Sequence, residues 1–215
     1  MPEPPTEPDA PRPRRLSLLR ELSLADAITL ANGAAGVGSV LCSMGYVASG
    51  AREGVWGAIG LLPLALVFDV LDGTVARWRR RSSPYGADLD SLADIVSFGV
   101  APAALAFALG MRGLGDGLVL IYFVGCGISR LARFNVTAEA LMTDAGKVSH
   151  FEGTPIPTSV GLVLLLGVAF AMGAVGDALW LGEVRVGPVA LHPLVLLYAA
   201  SGTAMVSATL KIPKP

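Results

Sequence analysis

The sequence predicts an all-α protein that crosses a membrane several times, and its composition and its hydrophobic pattern lead to that class. Of its 215 residues, 53% are hydrophobic and only 15% are charged, whereas a soluble domain carries about a quarter charged residues. Its mean hydropathy is +0.63. The apolar residues form continuous runs rather than an alternating pattern. Because only helices and closed barrels satisfy their backbone in lipid, continuous runs indicate helices.

Six apolar runs are long enough to cross a bilayer, which takes roughly 20 residues of helix. The runs lie at residues 24–48, 55–77, 88–110, 115–135, 157–180 and 188–210. We therefore predict one membrane domain of six transmembrane helices at residues 24–210, followed by a cytoplasmic tail at 211–215.

The distribution of basic residues predicts the orientation of these spans. Of the 16 Lys and Arg residues, only Arg52, Arg112 and Arg185 fall in the loops after spans one, three and five. All the others fall in the opposite loops and in the two terminal segments. Since positively charged loops stay in the cytoplasm, both termini and the loop between spans two and three are predicted to be cytoplasmic.

Two segments precede the first span. Residues 1–13 are rich in proline and acidic residues and are predicted to be disordered. Residues 14–23 mix leucine with arginine, which is typical of an amphipathic helix on a membrane surface, and no cleavable signal peptide is expected. Cys42 and Cys126 fall within apolar runs, so no disulfide is expected. The net charge of −1 gives no indication of nucleic acid as a partner.

Four aspartates flank the loop between spans two and three. Asp69 and Asp72 lie near the end of span two and share one helix face, at about 100° per residue. Asp90 and Asp94 lie one turn apart at the start of span three, whereas Asp88 points elsewhere. A loop of about ten residues makes the two helices antiparallel neighbours. The four carboxylates are therefore predicted to converge at the cytoplasmic end of the bundle.

Clustered carboxylates require compensation, because like charges repel unless they are protonated or a cation binds between them. Carboxylates without neighbouring His or Cys are typical ligands of Mg²⁺, Mn²⁺ or Ca²⁺, and pairs on two helices suit a two-metal site that handles phosphate. Nearby, Gly73 and Gly86 would let either a ligand or another helix approach the backbone. Arg77 flanks the acidic face and is predicted to bind phosphate.

The motif that these residues form resembles a known signature. It reads Asp69-x-x-Asp72-Gly73-x-x-Ala76-Arg77, then eight residues, then Gly86-x-x-x-Asp90-x-x-x-Asp94. This pattern is similar to that of the CDP-alcohol phosphatidyltransferase family, whose membrane domain also has six helices. The resemblance implies a transferase of phospholipid biosynthesis that takes a phosphatidyl group from CDP-diacylglycerol, releases CMP and forms homodimers among membrane lipids.

The resemblance also implies roles for the residues of the motif. Asp69, Asp72 and Asp90 would be ligands of two divalent cations, Mg²⁺ or Mn²⁺. Asp94 would help to hold the second cation and would act as the general base on the acceptor hydroxyl. The floor beneath the CDP group would be formed by Gly73, Ala76, Arg77 and Gly86.

Three further stretches bear on the acceptor. Residues 91–104, 130–136 and 151–159 resemble the bacterial and archaeal phosphatidylserine synthase branch of the family, except that Thr154 stands where that branch usually has leucine. This resemblance implies L-serine as the acceptor and phosphatidylserine as the product. It also implies a bacterial or archaeal cell membrane, with the active site at the cytoplasmic face.

Residues of spans four and one are predicted to bind the substrates. Arg130 and Arg133 are predicted to pair with the serine carboxylate, for which a guanidinium is well suited, although anchoring at the membrane surface explains them as well. Phe134 and Asn135 are predicted to shape the same pocket. Asn32 is a polar residue at bilayer depth in span one, and it is predicted to contact the nucleotide, the alternative being a hydrogen bond to a neighbouring helix.

Three alternatives stay open at this point. The same chemistry could use another acceptor, such as glycerol 3-phosphate, inositol phosphate or another amino alcohol. An intramembrane prenyltransferase also uses acidic motifs and Mg²⁺, but it would lack the Gly/Ala/Arg pattern. A divalent-cation transporter would place its carboxylates along a path near the middle of the bilayer.

Overall fold

The structure is a computed structural model that describes residues 23–79, 84–143, 150–207 and 211–213. The predictions for the tail at 1–13 and for the amphipathic helix at 14–23 lie outside these residues, apart from Ser23. The basic residues of the N-terminal segment, and Arg80 and Arg81, lie outside them too.

Helix α1, Leu24–Ser49, has a defined start and end. Ser23 caps its N-terminus, since the Ser23 Oγ accepts a hydrogen bond from the Asp26 N–H at 3.1 Å and the Asp26 carboxylate accepts one from the Ser23 N–H at 2.7 Å. Gly50 ends the helix in the left-handed region, with φ of 72°, where its N–H donates to the Tyr46 carbonyl. Both ends fall within two residues of the predicted span.

The next two helical segments carry the acidic motif. Helix α2 runs over Arg52–Arg79 and helix α3 over Pro84–Asp94. Both helices extend into the residues predicted as a loop. A π-helical turn, Ile95–Val100, continues α3 into helix α4, Ala101–Leu109, and in this turn the Ala101 N–H donates to the carbonyl of Val96, five residues back.

Three helices complete the bundle. Helix α5 spans Leu114–Thr143, helix α6 spans Val160–Ala171 after a 3₁₀ turn at Ile156–Ser159, and helix α7 spans Leu196–Val206 after a 3₁₀ turn at Pro193–Val195. Among the described residues, four helical runs are long and apolar enough to cross a membrane. They are Leu24–Ser49, Arg52–Val75, Tyr85–Leu109 and Leu114–Val136. Two shorter apolar helices, Ile156–Ala171 and Pro193–Val206, accompany them.

The predictions of continuous helix over 157–180 and 188–210 are wrong in part. The first helix ends at Ala171, because Gly173 adopts a φ of 76° that ends an α-helix. A β-hairpin made of β2, Val184–Val186, and β3, Val189–Leu191, then precedes α7. Its two-residue turn begins with Gly187 at a φ of 60°, which such hairpins require. Local Gly and Pro preferences thus outweigh the apolar composition of this region.

A second pair of short strands joins two segments at the ends of helices. Strand β1, His150–Glu152, pairs antiparallel with strand β4, Lys211–Pro213, so that Glu152 lies opposite Lys211. These strands are an addition to the predicted all-α architecture, and they connect the segment before α6 to the segment after α7.

The helices pack around one apolar core that includes the fully buried Phe98, Phe123 and Tyr198. The rings of Phe123 on α5 and Tyr198 on α7 meet edge to face, with centroids 5.2 Å apart. Many large apolar side chains on the outer faces are exposed, among them Leu41 at 61% and Ile121 at 71%. An outer surface of this kind suits helices that face lipid rather than water.

Candidate functional site

Three aspartates form a compact oxygen cluster where α2 ends and α3 begins. Asp69 and Asp72 on α2 and Asp90 on α3 each offer a carboxylate oxygen, and these three oxygens lie within 4.8 Å of one another. Asp72 is 5% exposed, and the other two are half-buried. The predicted convergence of the two helices is therefore confirmed for these carboxylates.

Asp94 lies one turn farther along α3 than Asp90 and is 7% exposed. The three-oxygen cluster does not include it, yet its carboxylate interacts electrostatically with those of Asp69, Asp90 and Asp72. All four predicted carboxylates therefore belong to one acidic site. Asp88 is exposed and lies outside the oxygen cluster, as expected.

Helix α1 supplies a hydrogen bond to each half of the acidic motif. The Thr29 hydroxyl lies 2.7 Å from the Asp72 Oδ2, and the Asn32 amide Nδ2 donates to the Asp94 Oδ1 at 3.0 Å. The prediction singled out Asn32 but not Thr29. The signal that could have found Thr29 is its position one turn before Asn32 in an apolar helix, where both polar side chains fall on one face.

Several buried polar atoms of the site have no hydrogen-bond partner among the described residues. They are the Asp90 Oδ1, the Asn32 Oδ1 and the Arg130 Nε. Such atoms are rare in folded proteins and call for a ligand, an ion or ordered water. An oxygen-only donor set with an unpaired buried carboxylate oxygen fits Mg²⁺ or Mn²⁺, and the like charges around it favour a cation.

Gly73, the first residue of the predicted nucleotide floor, has open space beside it. A Cβ atom built on Gly73, the residue after Asp72, would meet nothing within 4 Å. Among the described residues, Gly73 therefore packs against no other helix, and the room beside the carboxylates suits a ligand. Ala76 and Arg77 follow on the last turns of α2, and their side chains lie outside the described part of the chain. Gly86 lies half-buried in the first turn of α3.

The four predicted acceptor residues on α5 lie in different environments. Arg130 is half-buried, and its guanidinium interacts electrostatically with the Asp94 carboxylate, so the structure brings it to the acidic site. Arg133 and Phe134 are exposed. The Asn135 Oδ1 accepts a hydrogen bond from the Ser91 hydroxyl at 3.1 Å, and its Nδ2 donates to Asp88 at 3.2 Å. Asn135 therefore ties α5 to α3.

Comparison with known proteins identifies the family whose signature the acidic motif resembles. The family model of CDP-alcohol phosphatidyltransferase matches residues 22–204. A CDP-diacylglycerol–serine O-phosphatidyltransferase of Saccharomyces cerevisiae is 45% identical over 202 residues, which cover 93% of this chain and 73% of the yeast protein. An enzyme of the same name from Methanocaldococcus jannaschii is 34% identical, over 70% of this chain and 62% of its own length.

A third relative has a different name. It is an archaetidylserine synthase of Methanothermobacter thermautotrophicus, 38% identical over 167 residues, or 72% of this chain and 65% of that protein. The match of the family model covers most of the chain, and it includes every residue of the acidic motif. This chain belongs to the CDP-alcohol phosphatidyltransferase family.

Proposed function

We propose that the chain transfers a phosphatidyl group from CDP-diacylglycerol to the hydroxyl of L-serine, giving phosphatidylserine and CMP. The observation that carries this proposal is the cluster of Asp69, Asp72 and Asp90 with Asp94 beside it, in a chain whose relatives are named for the serine reaction. The acidic site supports the chemistry, and the relatives support the choice of acceptor.

The reaction forms one bond and breaks one. The serine hydroxyl oxygen attacks the phosphorus that carries the diacylglycerol, and the bond from this phosphorus to the bridging oxygen of the diphosphate breaks. The electron pair leaves with CMP. Asp94 accepts the proton of the hydroxyl, since a buried carboxylate held near the acceptor is a suitable general base. The chain otherwise acts by positioning the two substrates.

Two divalent cations, Mg²⁺ or Mn²⁺, belong to this proposal. Asp69, Asp72 and Asp90 would hold them, with Asp94 as a further ligand of the second. When bound, they would offset the negative charge of the diphosphate. The carboxylates lie at the end of the Arg52–Val75 run and at the start of the Tyr85–Leu109 run. This place at one end of the apolar segments argues against a cation path through the bilayer.

The nucleotide of the donor would lie over the open space beside Gly73. Ala76, Arg77 and Gly86 complete the proposed floor, and Arg77 would pair with phosphate oxygens as a planar fork of donors. The Asn32 Oδ1 is buried and has no hydrogen-bond partner within the described ranges, so this atom is available to accept a hydrogen bond from the cytidine or ribose. The acyl chains would extend into lipid.

The acceptor would lie between Asp94 and α5. Arg130 interacts with Asp94, so a carboxylate bound to its guanidinium would bring the serine hydroxyl toward the base. Arg133 and Phe134 would line the outer part of this pocket. Asn135 would act through α3, because its amide already engages Ser91 and Asp88.

We further propose six spans with both termini in the cytoplasm, the active site at the cytoplasmic face of a bacterial or archaeal cell membrane, and a homodimer. The two shorter apolar helices have 10–17 residues each, or at most about 25 Å at 1.5 Å per residue. They would cross together with the turns and the hairpin that follow or precede them, since non-helical backbone is tolerated where protein covers it.

One assay tests the proposed reaction. Purified protein in detergent micelles receives CDP-diacylglycerol, Mg²⁺ or Mn²⁺, and one radiolabelled acceptor at a time. We expect labelled lipid with serine and none with glycerol 3-phosphate or inositol phosphate. Labelled lipid with a phosphorylated acceptor but not with serine would contradict the choice of acceptor, and no labelled lipid with any alcohol would contradict the transferase itself.

A further inference from the structure

Thr29 and Asn32 lie one turn apart on α1 and connect this helix to both halves of the acidic motif. Both side chains are buried. Thr29 reaches Asp72 on α2 at 2.7 Å, and Asn32 reaches Asp94 on α3 at 3.0 Å. A single face of α1 therefore contacts one carboxylate from each of the two helices that carry the motif.

The direction of both hydrogen bonds follows from the chemistry of the groups. An ionised carboxylate can only accept, so the Asn32 amide and the Thr29 hydroxyl must donate to it. The Thr29 hydroxyl also lies 3.1 Å from the Ala25 carbonyl, but the charged oxygen of Asp72 is closer and is the stronger acceptor. Each bond holds one carboxylate oxygen, which fixes the rotation of that carboxylate about its Cβ–Cγ bond.

Contacts of Ser97 with α1 fix the position of α1 relative to the end of α3. The Ser97 hydroxyl, in the π-helical turn after Asp94, donates to the Asn32 carbonyl at 2.9 Å. On the following turn of α1, a Cβ atom at Gly36 would lie 2.7 Å from the Cα of Ser97. The two backbones are therefore in direct contact, so Asn32 approaches Asp94 from a fixed distance and direction.

We propose that Thr29 and Asn32 are positioning residues for the acidic site. Thr29 orients Asp72 so that its carboxylate can bind a divalent cation. Asn32 orients Asp94 so that it can take the proton of the acceptor hydroxyl. The role of Asn32 rests on the proposed reaction, whereas the role of Thr29 concerns cation binding and is measurable without either substrate.

The role of Thr29 is tested by titrating the full-length protein in detergent micelles with Mn²⁺, followed by electron paramagnetic resonance. Thr29→Val keeps the shape of the side chain and removes the hydroxyl. We expect its Mn²⁺ Kd to rise about 10-fold or more, the usual cost of removing a hydrogen-bond partner of a metal ligand. Thr29→Ser restores the hydroxyl and should bind nearly as wild type does. An unchanged Kd in Thr29→Val would overturn this role.

The role of Asn32 is tested by steady-state kinetics of Asn32→Leu with serine and CDP-diacylglycerol. We expect kcat to fall about 10-fold or more. Binding of the first Mn²⁺, which does not depend on Asp94, should stay close to that of wild type because Thr29 still holds Asp72. A rise confined to the KM for CDP-diacylglycerol, with kcat unchanged, would assign Asn32 to the nucleotide alone and overturn its positioning role.

Ser43→Ala is the matched control for both variants. Ser43 is buried on the same helix, and its hydroxyl donates to the Ser39 carbonyl at 2.9 Å, away from the acidic site. It should change neither Mn²⁺ affinity nor kcat, and equal losses in Ser43→Ala would show that any damage to α1 disturbs the site. If wild type binds Mn²⁺ but makes no phosphatidylserine, the proposed reaction fails while the Thr29 comparison still decides the role of that residue.

Discussion

In the part of the chain that the structure describes, buried carboxylates occur at two places, and they differ in their hydrogen-bond partners. Asp116, near the start of α5, is fully buried. Its Oδ1 accepts a hydrogen bond from the His192 N–H at 2.7 Å. Its Oδ2 accepts one from the Gly113 N–H at 2.9 Å and lies 2.8 Å from the His192 Nδ1. In the acidic site, by contrast, the Asp90 Oδ1 is buried and has no partner among the described residues.

The difference separates a structural carboxylate from one that is kept for a ligand. Asp116 gathers its donors from Gly113, just before α5, and from His192, in the segment before α7, so the chain itself satisfies its charge. The acidic site gathers further negative charges instead, which destabilises the fold unless a cation binds. Substitutions at the two places should therefore have opposite effects on activity and on stability.

The largest effect is expected for Asp94→Asn. The amide keeps the shape of the side chain but cannot take the acceptor proton, so turnover should fall about 10³-fold, within the usual range for a general base. The midpoint of thermal unfolding should not fall, because the change removes one of several mutually repelling charges. Radiolabelled phosphatidylserine formation and a thermal melt of the same preparation measure the two effects. Turnover near the wild-type rate would remove Asp94 from the proposed mechanism.

Asp116→Asn should show the reverse pattern. Its amide nitrogen would face a donor, and breaking a buried, hydrogen-bonded pair of this kind costs about 3 kcal/mol of the free energy of unfolding. Turnover per folded molecule should stay near that of wild type, since the residue does not contact the acidic site. Unfolding in mixed detergent micelles measures the stability, with the exposed Asp177→Asn as control. Equal stability of the two variants would contradict the structural role of the Asp116–His192 contact.

Removing the cation should lower the free energy of unfolding by slightly less than Asp116→Asn does. Mn²⁺ at about 100 times its Kd should stabilise the wild type by roughly 2.7 kcal/mol, because it binds the folded state, and EDTA should reverse this gain. Asp69→Asn should lose most of the gain, whereas Asp116→Asn should keep it. Thermal melts with and without Mn²⁺ provide the measurement. A gain in Asp69→Asn as large as in the wild type would place the cation elsewhere.

The smallest effects are expected for substitutions of Arg130 and Arg133 on α5, and they should differ in size. Arg130→Ala should raise the KM for serine about 10-fold, which corresponds to one hydrogen bond to a charged group, with little change in the KM for CDP-diacylglycerol. Arg133→Ala should raise it less, because Arg133 is exposed and Arg130 is half-buried beside Asp94. Steady-state kinetics with serine as the varied substrate measures both. A larger effect at Arg133 would reverse their proposed order.

Local patterns in the sequence determined much of what matters at the acidic site. Asp69, Asp72, Asp90 and Asp94 were predicted to converge because helical periodicity sets which residues share a face, and because a short connection forces two helices to be neighbours. The apolar runs likewise predicted the membrane class. The extent of the last two helices was mispredicted, since apolar composition was weighted above Gly173 and Pro188, whose backbone preferences end helices.

The hydrogen-bond partners of these carboxylates depend on tertiary packing and could not be predicted from local sequence patterns. Thr29 and Asp72 are 43 residues apart, and Asn32 and Asp94 are 62 apart. The contacts of Asn135 with Ser91 and Asp88 were not predicted, and neither was the contact between Asp116 and His192, which are 76 residues apart. Helical periodicity is a property of a few consecutive turns. Which faces of distant helices meet depends on how all of them pack around one core, as the contact between Gly36 and Ser97 illustrates.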